Sequence, residues 1–280
     1  MIRYVVSGAV ALLSTAALAE TPAERGAYLV NTVMTCQNCH TPKGPGGVPQ
    51  FDKDLSGGLS FDEPPFKVTA SNITPDKETG IGAWSDADIK KALVQGVRPN
   101  GVPLAAVMPT GFYGMLTPGD LDAIVAHLRT LKPVSNKVPD PIYKINVPRQ
   151  IAPYAENPFD VTNFRVPEKK GLYLVTIAHC MECHTPFAKA GEVDFKNSYG
   201  KGGREFPGPW GVSVARNITS HKEKGIGAWS DAEIKRAITQ GISRDGSRLK
   251  PPMGYAFYAK MTDADLDAMI AYLRQISPLE

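Results

Sequence analysis

The sequence predicts an all-α protein built from two tandem domains of short helices and long loops. Three observations predict it. The 280-residue chain repeats itself once. Each repeat carries three segments with apolar residues at helical spacing. The stretches between them are rich in the chain's 26 glycines and 24 prolines and lack the alternation of strands.

The repeat is read directly. Gly80-Ile81-Gly82-Ala83-Trp84-Ser85-Asp86-Ala87 recurs from Gly225 to Ala232, and Asn72-Ile73-Thr74 recurs at Asn217-Ile218-Thr219. Gly26-Ala27-Tyr28-Leu29-Val30 returns as Gly171-Leu172-Tyr173-Leu174-Val175, and Asp120-Leu121-Asp122-Ala123 returns from Asp265. The offset is 145 throughout, and 144 at the cysteines, where one residue is lost before Cys180. This divides the chain into a first domain over 20–131, a proline-rich linker over 132–166 and a second domain over 167–280. The linker's aromatic and aliphatic residues predict that it packs on both domains.

The first helix of repeat one carries Leu29, Val30 and Val33. The second opens at Ser85, carries Ile89, Leu93 and Val94, and ends at Gly96; its twin opens at Ser230 with Glu233 completing a capping box. The third opens at Thr117-Pro118 with the stripe Leu121, Ile124, Val125 and Leu128, and its twin runs from Thr262. Three short helices make a small core for domains of this size. A buried macrocycle would supply the rest.

Residues 1–19 read as a secretory leader: Arg3, an apolar run to Leu18, and Ala17-Leu18-Ala19 before Glu20. Export to the periplasm is expected, with no membrane span in the mature chain. The formal charge of +3 excludes a basic nucleic-acid binder.

All four cysteines lie in Cys36-Gln37-Asn38-Cys39-His40 and Cys180-Met181-Glu182-Cys183-His184. C-x-x-C-H is the attachment motif of c-type haem. Two thiols three apart on a helical turn reach the two vinyl groups of one ring, and the next histidine swings under the iron. Structural zinc would need the two pairs to converge, and a thioredoxin-like dithiol would need a βαβ context. Two covalently bound haem c groups are therefore expected, with His40 and His184 as proximal ligands.

Methionine supplies the expected sixth ligands. Met108 and Met253 are 145 apart, flank prolines, and follow their histidines by 68 and 69 residues. Thioether sulfur favours ferrous iron and closes it to substrate. Trp84, Trp229, Asn72, Asn217 and Arg216 are candidates for contacting haem propionates. Of the other histidines, His127 reads as a helix-interface residue, His179 as surface and His221 as solvated.

On these motifs each half resembles a class I cytochrome c domain. The stretches Asn72 to Asp76, Gly80 to Asp86, Asn217 to Thr219 and Gly225 to Asp231 are similar to the cytochrome c subunits of bacterial membrane-bound alcohol and gluconate dehydrogenases. The resemblance implies two tandem class I domains with loops wrapped around haem. It also implies a subunit passing electrons from a partner dehydrogenase towards a cytochrome or oxidase acceptor, with peripheral membrane association through a complex. Gly26 and Gly171 would be the crossing glycines of the first and last helices, and Tyr272 an aromatic partner in place of which repeat one has His127. Those subunits usually carry three haem motifs and a membrane-binding extension. With two motifs and an end at Glu280, a relay to a soluble acceptor or terminal oxidase is expected rather than quinone reduction. A diheme peroxidase-type enzyme, a free soluble shuttle and a haem-bearing subunit that only positions a partner are the competing readings.

Overall fold

The computed structural model describes residues 20–189 and 191–280; the expected leader over 1–19 lies outside them. In the first repeat, α1 (Pro22–Tyr28) continues through a π turn (Leu29–Val33), and α2 (Gln37–His40) carries the attachment motif. A hairpin β1 (Ser60–Glu63) and β2 (Phe66–Thr69) follows, then α3 (Asp86–Gln95), a 3-10 turn (Tyr113–Met115) and α4 (Pro118–Thr130). The connection carries β3 (Ile142–Tyr143). The second repeat has α5 (Pro167–Ile177), α6 (Cys180–His184), hairpins β4 (Phe187–Lys189) with β5 (Glu192–Val193) and β6 (Glu205–Gly208) with β7 (Gly211–Val214), then α7 (Asp231–Gln240), α8 (Tyr255–Tyr258) and α9 (Asp263–Leu273).

The expected helices are present, with the caps that start and stop them. Ser85 and Ser230 both accept from the third helical N–H, and Asp88 and Glu233 reach back to close capping boxes. Gly96 and Gly241 end α3 and α7 in the left-handed conformation, where a side chain would be strained.

The all-α expectation is overturned. The chain is 36% helix and 11% strand, the strands forming three small sheets. The strands are only two to four residues long, too short for alternation to register in the sequence. The β1–β2 and β6–β7 hairpins turn on Pro64-Pro65 and Pro209-Trp210. β3, from the inter-repeat connection, adds antiparallel to β2, with Phe66 opposite Tyr143 and Lys67 opposite Ile142.

The first and last helices of each repeat cross at glycine. A Cβ on Gly26 would lie 1.9 Å from the Ala123 carbonyl oxygen, and one on Gly171 1.9 Å from that of Ala268. His127 and Tyr272 flank these crossings, their Cβ atoms 2.7 and 2.8 Å from the same hypothetical atoms. Only glycine permits backbones this close.

One continuous apolar core joins the two repeats. The Tyr113–Met115 turn of repeat one packs on α5, and α8 of repeat two packs on the Leu29–Val33 turn. The connection lies over both. Arg149 donates to the Val94 and Thr110 carbonyls, Gln150 donates to the Val193 carbonyl, and Phe159 stacks near Phe164 and Tyr173. No helix among the described residues is long and apolar enough to cross a membrane.

Candidate functional site

Each attachment motif sits on a one-turn helix entered from a left-handed residue. Thr35 and His179, immediately before Cys36 and Cys180, have φ of 50° and 44°. This sharp reversal after the first helix presents the cysteines to the interior instead of continuing the helix.

The four thiols are unpaired and half-buried. Burial pushes Cys36, Cys180 and Cys183 up to about 12 and Cys39 to about 11. Neutral, desolvated thiols are the reverse of the low-pKa nucleophile that a dithiol redox site needs. The charges of Glu182 and Cys39 also raise Cys183, so the two motifs adjoin in space.

The histidines are held alike. His40 Nδ1 lies 2.7 Å from the Ser71 carbonyl oxygen, and His184 Nδ1 lies 2.6 Å from that of Arg216. A nitrogen facing a carbonyl carries the proton, which leaves Nε2 with its lone pair. Burial holds both imidazoles below their ordinary range, with the carbonyl bond opposing it. Neutral imidazole fixed in one tautomer by a backbone acceptor is the arrangement of an axial iron ligand.

Both motifs open on a continuous cavity of about 1620 Å³. Pockets for drug-sized ligands run to ~1,000 Å³, so this one has room for an occupant larger than those. Cys36, Cys39, His40, Cys180, Cys183 and His184 line it, as do Met108 and Met253. Met34 and Met269 line it too, but both are buried in the helical core. The residues present fit haem c: paired neutral thiols, an oriented imidazole beside them, and a loop methionine on the same cavity in each repeat.

The remaining candidates divide. Trp84 and Trp229 line the cavity, and among the described residues neither indole N–H has a protein acceptor. Their carbonyls accept from Arg129 and Arg274, which fixes the turn before α3 and α7. Asn72 and Asn217 also line the cavity, but their amides hold loops together. Asn72 Nδ2 donates to Thr79 and the Val134 carbonyl, and Asn217 Nδ2 to the Leu279 carbonyl. Arg216 contributes its carbonyl to His184, while its exposed side chain edges the cavity.

His127 is buried in the helix crossing, as expected of an interface residue. His179 is not a surface residue: its ring lies edge-on to Tyr113, with Nδ1 3.2 Å from Glu182. His221 is half-buried and accepts from the Glu223 and Lys224 amides through Nδ1. Sequence reasoning missed Tyr113 and Tyr258, which are 145 apart, fully lodged between the motifs, and line the cavity. Their register was the signal that could have found them. The Ser71 and Arg216 carbonyls carried none, because a backbone acceptor leaves no mark on residue type.

Fold and site together define a duplicated scaffold whose paired thiols and oriented imidazoles fit a metallo-macrocycle. The cytochrome c family model matches residues 23–132 and 169–277, and the chain belongs to the cytochrome c family. The family binds haem c and transfers electrons. The chain is 30% identical over 258 residues to a diheme cytochrome c-type protein of Cereibacter sphaeroides, covering 88% of this chain and 83% of that one. It is 34% identical over 272 residues to a fructose dehydrogenase cytochrome subunit of Gluconobacter japonicus, covering 90% of this chain and 52% of that one. It is 29% identical over 300 residues to a gluconate 2-dehydrogenase cytochrome c subunit of Pantoea cypripedii, covering 99% of this chain and 65% of that one. The chain thus spans between half and two-thirds of the length of these two dehydrogenase subunits.

Proposed function

We propose that the protein is a periplasmic diheme cytochrome c that relays single electrons from a partner dehydrogenase to a downstream cytochrome or oxidase. One haem is bound covalently by Cys36 and Cys39 in a domain over 20–131, the other by Cys180 and Cys183 in a domain over 167–280, with 132–166 as the linker. His40 with Met108, and His184 with Met253, hold the two irons. Trp84, Trp229 and the Arg216 side chain are placed to meet propionates.

One observation carries this reading. In each repeat an imidazole is locked to a carbonyl by Nδ1, beside two neutral thiols, on a cavity that also receives the loop methionine. Iron held from both faces has no open position, which favours a carrier over a peroxidase. The likeness to dehydrogenase cytochrome subunits supports a dehydrogenase as donor.

The test is a purified mature holoprotein. Two haems per chain that survive denaturation, a ferric near-infrared sulfur-to-iron band, and reduction by a co-purifying dehydrogenase are expected. Fewer than two haems, or peroxide turnover well above that of free haem, would overturn it.

A further inference from the structure

The two repeats share a fold, but their cavity mouths differ. The first mouth is strapped. Lys137, Val138, Pro139, Asp140 and Pro141 line it, β3 pairs with β2, and Tyr143 Oη donates to the Pro103 carbonyl at 2.6 Å. In the second repeat, among the described residues, no third strand pairs with the β6–β7 hairpin. Trp210 is exposed at the turn of that hairpin, and Val212 and Val214 line the cavity beneath it.

Charge follows the same division. Arg204, Arg216, Lys224, Arg244, Arg248 and Lys250 line the second mouth, against the carboxylates of Glu182, Glu223 and Asp245. The positions 145 earlier hold Leu59, Ser71, Thr79, Pro99, Pro103 and Ala105, none of them charged. Among the described residues, the charged groups lining the first mouth are Arg98 and Lys137, balanced by Glu78 and Asp140. Repeat-related bridges, Val97 to Pro103 and Ile242 to Arg248, show that the two loops keep one backbone course. The charge difference therefore lies in the side chains and not in the backbone frame. Among the described residues, Lys224, Arg248 and Lys250 form no ion pair, and all three are exposed. Lys250 Nζ reaches the Gly211 turn, joining the basic loop to the apolar hairpin.

An apolar centre within a polar, charged rim is the anatomy of a protein interface. Uncompensated charge at such a rim steers encounter and selects for the opposite sign. We propose that the second mouth is a docking surface for a redox protein with a carboxylate-rich face, and that the strapped first mouth is not. This rests on the two-haem reading above and names the partner chemistry of its second site.

The test uses the holoprotein, with both haems verified by spectrum, and an acidic blue copper protein as probe. Carbodiimide cross-linking followed by mass spectrometry should join probe carboxylates to Lys224 and Lys250, not to Lys137. Calorimetric affinity should weaken about tenfold between low and physiological salt, where the Debye length shrinks to ~8 Å. R248E/K250E should weaken low-salt affinity about tenfold and flatten the salt response, while K137E stays within about twofold. Cross-links centred on Lys137, or affinity indifferent to salt and to R248E/K250E, would overturn the proposal. So would loss of binding to anionic phospholipid vesicles in R248E/K250E with copper-protein affinity unchanged, which would assign the surface to lipid. A preparation lacking two haems would instead overturn the functional reading.

Discussion

Tyr28 Oη donates to Asp265 at 2.6 Å, joining the first helix of one repeat to the last helix of the other. The relationship is reciprocal: Tyr173, 145 positions on, donates to Asp120 at 2.5 Å. Each aspartate also takes a cation from its own repeat, Asp120 from Arg25 at 2.8 Å and Asp265 from Lys170 at 2.5 Å. The two carboxylates thus close a pseudo-two-fold ring, in which burial and Asp120 push the Tyr173 phenol far above its ordinary range.

Y173F removes a buried donor to a charged acceptor and should destabilise the holoprotein by about 1.5–3 kcal/mol. Y28F, at the half-buried copy, should cost less. Denaturant unfolding of both variants and the double variant checks this. A double variant matching the sum of the singles is expected, because the two bonds share no partner.

Gly26→Ala and Gly171→Ala place a methyl within 1.9 Å of a helix carbonyl. Helices cannot separate locally without breaking the core, so each should cost about 3 kcal/mol or more. Thermal unfolding and the yield of haem-loaded protein report the loss; Gly119→Ala, where nothing lies within 4 Å, is the control and should be neutral.

Burial holds His127 below its ordinary value of 6.5, with Asp54 opposing. The unfolded chain then binds the proton first, so this stabilisation is complete above about pH 6.5 and fades as pH falls towards the folded value. Melting temperatures at pH 7.5 and 5 should differ more for the native protein than for H127Q. An equal difference would show that another group governs the acid limb.

M108L and M253L should each remove about half of the near-infrared sulfur-to-iron absorbance and lower one of two midpoint potentials. Redox titration monitored by absorbance separates the two. Neither change would appear if the methionines only fill the cavity wall.

Arg204 donates to the Glu182 carbonyl and lies 4.2 Å over the Phe187 ring, where repeat one has Leu59. R204L should lower the second midpoint, because losing a positive charge beside the cavity favours the ferric state. The first midpoint should stay in place.

Much of this was legible in the residues. Cys36-Gln37-Asn38-Cys39-His40 and its twin declare themselves by type and spacing, and Ser230 with Glu233 declares a helix start. Local chemistry leaves such marks because the residues that act are neighbours in the chain. The hairpins left none, since four residues such as Phe66–Thr69 give alternation too little length. The ring of Tyr28, Asp265, Tyr173 and Asp120 was hidden for the opposite reason. Its members lie 237 and 53 positions apart, and only folding decides that each tyrosine crosses to the other repeat.

The reciprocal packing makes the molecule, in effect, a homodimer written as one polypeptide. Two separate identical subunits must accept every substitution twice, so both mouths would gain arginine or neither would. Fusion lifts that restriction. One half carries a roof from the connecting segment while its twin, among the described residues, has none, so the two ends of the molecule differ.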